Sequence, residues 1–144
     1  MAITPITIQL GGFFQGNDYN LSNIGPLPLF YDLPAKQRLT IESISAYSST
    51  PKGQSASLSL LVLKKNKSGV PLARYQLPMH YQVRYNPNPN NPSQPVLELW
   101  SMDHMLRAYV DAGLQLKVDA FRGLTHSGTG GVEVVITGFL EDVP

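Results

Sequence analysis

Apolar and polar residues alternate without a break along Leu114-Gln-Leu-Lys-Val-Asp-Ala120, and nearly so along Val132-Glu-Val-Val-Ile-Thr-Gly-Phe-Leu140. A period of two sends successive side chains to opposite faces of a sheet, one dry and one wet. The glycine-rich stretch 123–131 separates the two runs, which therefore read as an antiparallel hairpin. Ile6, Ile8 and Leu10 share a parity in a short first strand, stopped by Gly11-Gly12. Leu39 and Ile41 take one parity but Ile44 and Ala46 take the other. A strand over 38–48 is thus expected to carry a β-bulge near Glu42-Ser43, or else to be buried on both faces. Over 55–65, Leu58, Leu60 and Val62 face inward, and the run Leu60-Leu-Val-Leu63 suits a central strand.

The remaining segments are punctuated by turn residues. Pro51-Lys52-Gly53-Gln54 and Lys64-Lys65-Asn66-Lys67-Ser68-Gly69 read as turns. Residues 70–84 are β-prone, in one or two pieces, broken by Pro71 and Pro78. The segment 86–95 holds four prolines interleaved with asparagine, which excludes helix and sheet together. A strand restarts at 96–101, followed by a turn or single helical turn at 102–105 and a strand at 106–110. Asp111-Ala112-Gly113 is a three-residue hairpin turn with glycine where positive φ is wanted. Residues 13–35 are irregular yet carry Phe13, Phe14, Leu27, Leu29, Phe30, Tyr31 and Leu33, too much apolar surface for a disordered linker. They read as an ordered arm lying over its own sandwich or reaching a neighbouring subunit.

About eight strands in one domain spanning residues 1–144 predict an all-β fold: an antiparallel two-sheet β-sandwich of jelly-roll or Greek-key type, with a closed barrel as the alternative. The strand count and the turn at 111–113 resemble jelly-roll modules in general, such as viral coats, trimeric tumour-necrosis-factor-like domains and carbohydrate-binding modules. That resemblance is one of architecture, which does not carry function.

Composition narrows the function classes. The 12 glycines and 12 prolines fit short strands and many turns. Charged residues make up 15% of the chain, against about 25% in a typical domain. With a net charge of +1 there is no long-range field to gather nucleic acid or acidic lipid. The neutral, hydrogen-bonding surface suits a sugar-binding protein or a packed protein shell. The absence of cysteine excludes disulfide scaffolds, zinc-thiolate sites and thiol catalysis, and leaves the compartment open. No secretory signal is legible at Met1-Ala-Ile-Thr-Pro5, and no apolar run reaches the about 18 residues that span a bilayer.

Catalytic patterns are thin. His80, His104 and His126 form no ligand pair at useful spacing. Asp103 and His104 are adjacent, so on a strand they point apart. A site assembled from His80, Asp103 and His104, as in a cupin-like metal enzyme, is the weakest of three functional readings. Ser127 beside His126 lacks the strained turn of a nucleophile, and the glycine loop lacks the lysine of a phosphate cradle. Glu98, Asp119 and Glu133 read as wet-face residues. No cofactor is expected.

Aromatic residues point elsewhere. Trp100, the one tryptophan, has the opposite parity to Leu97 and Leu99. If those two fill the core, Trp100 faces outward, where Tyr75, Tyr81, Tyr85 and Tyr109 could join it. Exposed rings serve subunit interfaces and sugar stacking. The first expectation is a non-catalytic, self-associating structural or surface-display subunit, with Phe13 and Phe14 in the arm among its contacts. The second is a carbohydrate-binding module with a glycan as partner.

Overall fold

The computed structural model describes residues 2–15, 20–22, 25–65, 70–86, 89–91, 96–122, 128 and 130–144. Among them are nine strands in two antiparallel sheets. These are β1 (Ile3–Phe14), β2 (Phe30–Asp32), β3 (Gln37–Pro51), β4 (Ala56–Lys64), β5 (Ala73–Leu77), β6 (His80–Tyr85), β7 (Leu97–Val110), β8 (Leu114–Arg122) and β9 (Gly130–Asp142). One sheet runs β1-β9-β3-β7-β6 and the other β2-β8-β4-β5. The pairs are nested: β1 with β9, β2 with β8, β3 with β7, β4 with β5. A long hairpin rolled up so that its concentric pairs alternate between two sheets is the jelly-roll sandwich. Strand β6 is an addition, pairing with Leu97–Ser101 on the outer edge of β7.

The inner faces supply the core. Ile8, Leu10, Leu39, Ile41, Ile44, Ala46, Val134 and Ile136 from the larger sheet meet Leu58, Leu60, Val62, Leu116, Val118 and Ala120 from the smaller. Every one of these is buried. The expected dry parity of the last two runs is therefore correct. The expected hairpin between them is not: β8 lies between β2 and β4, while β9 lies between β1 and β3. Alternation reports one dry face, and either sheet of a sandwich provides that equally. The turn at 111–113 likewise joins the two sheets, although Gly113 has the anticipated positive φ of 74°.

Other departures have similar causes. Gly11 and Gly12 do not stop β1, which pairs with β9 as far as Phe14. Glycine is needed there because the arm crosses close by; a Cβ on Gly12 would lie 2.8 Å from the Ser22 carbonyl oxygen. The described part of the arm docks onto its own sandwich. Leu29 and Leu33 enter the core, and Val118 N–H donates to the Leu29 carbonyl at 3.0 Å. Phe30–Asp32 becomes an edge strand beside β8. Residues 70–84 split at Pro78-Met79 into β5 and β6, which belong to different sheets. No turn interrupts 102–105; Leu97–Val110 is one strand. The bulge does fall between Ile41 and Ser43, where β3 shifts register against both β7 and β9.

Candidate functional site

The corrected strand β7 reverses the facing of its aromatic residue. Met102, Ala108 and Val110 are buried and share even parity, so even positions face the other sheet. Glu98 and Trp100 have that parity too, whereas Leu97 and Leu99 lie on the outer face. Trp100 is therefore half-buried at the open end of the sandwich, not on its exterior. Its indole N–H donates to Thr50 Oγ1 at 3.2 Å, and Thr50 donates to the Gln54 carbonyl at 2.8 Å. The β3–β4 turn is thereby fastened to β7. Gly53 is the third residue of that turn, at φ 80°, with Gln54 N–H returning to the Pro51 carbonyl.

Strand β6 completes the wall. Its register slips by one between Tyr81 and Val83, which leaves Tyr81 opposite Trp100 and Arg84 opposite Glu98. The Tyr81 and Trp100 rings meet edge-on, centroids 5.2 Å apart and planes at 66°. Arg84 Nε and Nη2 donate to Glu98 Oε1 at 3.1 and 3.0 Å. The Glu98 side chain is only 7% exposed, beneath a guanidinium side chain that is 53% exposed. Glu98 also accepts from the Tyr81 hydroxyl and from the Gly53 N–H. These bonds hold its carboxyl below the usual carboxylate range, the Tyr81 hydroxyl most of all; burial works in the opposite direction. The same hydrogen bond, aided by burial, pushes the Tyr81 hydroxyl up. Together Gly53, Gln54, Ser55, Tyr81, Arg84, Glu98 and Trp100 line an open depression of about 400 Å³.

Glu98 is thus a correction to its expected wet-face placement. Its signal was present in the parity it shares with Met102, hidden by the supposed break at 102–105. Asp119 is at the surface as anticipated, 3.6 Å from Arg74, and Glu133 is exposed.

The other aromatic residues do not gather around Trp100. Tyr75 packs against the core from β5, in the opposite sheet. Tyr109 is exposed, with the Arg38 guanidinium 5.7 Å from its ring centre. Phe14 is fully buried, with the Arg122 guanidinium 5.1 Å from its ring centre. Phe13 and Tyr85 lie on the outer face of the five-stranded sheet and belong to a second feature there. Cross-strand pairing sets Val83, Leu99, Ser49, Gly131 and Phe13 in one row, with Tyr85, Leu97 and Pro51 in the next. Val83, Tyr85, Tyr47 and Phe13 are between 43% and 51% exposed. Small Ser49 and Gly131 leave a dent of about 230 Å³ between Phe13, Tyr47 and the Pro26-Leu27 wall.

His80 stands opposite Ser101, Asp103 accepts from Ser45 at 3.1 Å, and His104 lines a separate cleft between β5 and β7. Among the described residues no three histidine, aspartate or glutamate side chains converge on a metal position. His126 and Ser127 lie outside the described residues. Compared with protein families and with characterised proteins, the sequence finds no match in either.

Proposed function

We propose that this protein is a non-catalytic β-sandwich that associates with copies of itself, as a structural or surface-display subunit. The observation that carries the reading is the apolar band on the outer face of the five-stranded sheet. Phe13, Tyr47, Val83 and Tyr85 project from it around a floor of Ser49 and Gly131, and Leu97 and Leu99 join it. Contiguous apolar patches on a protein surface mark interaction sites more often than isolated apolar residues do. Aromatic anchors around a dent are the kind of surface that binds by shape. Among the residues lining the dent only Glu133, opposite Tyr47, is charged, so covering the band desolvates few ions. The arm lends no support, because its described part is already used in cis.

Sedimentation across micromolar concentrations tests the reading. A concentration-dependent rise in mass is expected, lost when Tyr47→Lys and Val83→Lys are combined. A monomer at every concentration overturns it.

A second reading, a carbohydrate-binding module, is favoured by the Trp100–Tyr81 pair over an open, polar depression. A glycan array read with the native protein and with Trp100→Ala decides it; no binding by either form ends it.

A further inference from the structure

We propose that the depression walled by Tyr81 and Trp100 binds a neutral polyhydroxylated ring through Arg84, which Glu98 holds in place and whose remaining N–H groups take two neighbouring hydroxyls of the ligand. The inference rests on the carbohydrate reading and assigns that reading its residues and its ligand class.

Three features argue for it. First, the polar half of the depression is built rather than incidental. Glu98 is held by two guanidinium nitrogens, a phenol and a backbone N–H, so its carboxylate is fixed before any ligand arrives. Preorganised groups save the ordering cost that weakens most binding. Second, the exposed partner of the pair has donors to spare. A guanidinium has five N–H donors, of which Arg84 directs two at Glu98, while the about four acceptor positions of the carboxylate are filled by its own four donors. A hydroxyl both donates and accepts. Two adjacent hydroxyls can therefore receive from the remaining N–H groups of Arg84, whose side chain is 53% exposed, with Glu98 holding the guanidinium in place from beneath. Third, the charges of Arg84 and Glu98 cancel within the site. With the Arg84 charge already compensated by Glu98, neither an anion nor a cation gains a full ion pair there, which leaves a neutral ligand favoured. The aromatic wall of Trp100 and Tyr81 suits the carbon face of such a ring. The floor is open to solvent, with Ser55 and Arg84 exposed at its rim.

Glucose, galactose, mannose and N-acetylglucosamine, free and as immobilised oligosaccharides, are the probes. Trp100 is the only tryptophan, so its emission reports on this depression alone. At least one sugar is expected to shift that emission saturably. Glu98→Gln, which keeps the shape but loses the charge that fixes the Arg84 guanidinium, should weaken binding about tenfold or more. Tyr81→Phe, which keeps the ring, should weaken it severalfold. Both variants are checked for a native circular dichroism spectrum, and Arg84, being half-exposed, stays solvated in the first. Free sugars that shift the emission define a small-molecule site. Binding of immobilised oligosaccharides alone defines one for glycan chains; both support the assignment. Binding unaltered in Glu98→Gln and Tyr81→Phe overturns this site while the carbohydrate reading survives. No response to any probe overturns both.

Discussion

At Gly138, beside the β3 bulge and opposite Ile41, a side chain has nowhere to go: a Cβ there would lie 2.0 Å from the Thr40 carbonyl oxygen. Gly138→Ala must push β3 and β9 apart and should cost about 1–3 kcal/mol. Urea unfolding is expected to show a lower midpoint with an unchanged slope. Glu98 makes a different prediction at the same scale. Its folded pKa lies below its ordinary value of 4.5. Its stabilising contribution is therefore complete above that value and is lost as pH falls through the lower, folded one. Tyr81 behaves conversely: its pKa is raised from 10.0, so its contribution is present below that pH and is lost as pH rises through the higher folded value. Trp100 emission should stay native through pH 4.5 and change only in more acid solution; a change centred at 4.5 would mean the carboxylate is not held. Trp100 and Tyr81 were legible in the sequence as candidates. Glu98 was not, because a break read into residues 102–105 disconnected its parity from that of the core.

Among the elements, β3 was the most legible, since a parity slip inside a run of alternation has few causes other than a bulge. Strand β2 was the least. Three residues flanked by prolines give no period, and its place depends on burial by the opposite sheet rather than on local pattern. Its importance shows in the neighbours. Leu33 is 2% exposed, whereas Phe30 projects outward at 41%, with Lys117 Nζ 5.5 Å from its ring centre. Leu33→Ala should cost about 2–5 kcal/mol. Phe30→Ala should stay within about 1 kcal/mol, the range of a surface substitution with one exposed cation–π contact. Thermal unfolding of the two variants compares them directly; equal losses would mean that the arm is not anchored through the core.

For the molecule as a whole, period and composition made the two-layer class legible, but the strand order was not. Alternation says that a strand has a dry side and is silent about which partner supplies the hydrogen bonds. Chain neighbours β7 and β8, and then β8 and β9, invited a hairpin reading, yet each pair divides between the sheets. The surface band, apolar apart from Glu133, makes a prediction at this scale. If copies meet there, raising salt from about 0.1 to 1 M, which shortens screening from about 10 to 3 Å, should leave the assembly intact. Dissociation on adding salt, followed by sedimentation, would place ionic contacts at the interface instead. The nested pairing also bears on biosynthesis. Among the described strands β1 pairs along its length with β9, the last of the nine in chain order, and β9 must slot between β1 and β3. While translation is under way, both flanking ribbons wait with bare amide edges and oily undersides. Strands β3, β7 and β6 can pair beforehand, but completion of the larger sheet is withheld until residues 130–142 leave the ribosome, and the nascent polypeptide needs shielding until then.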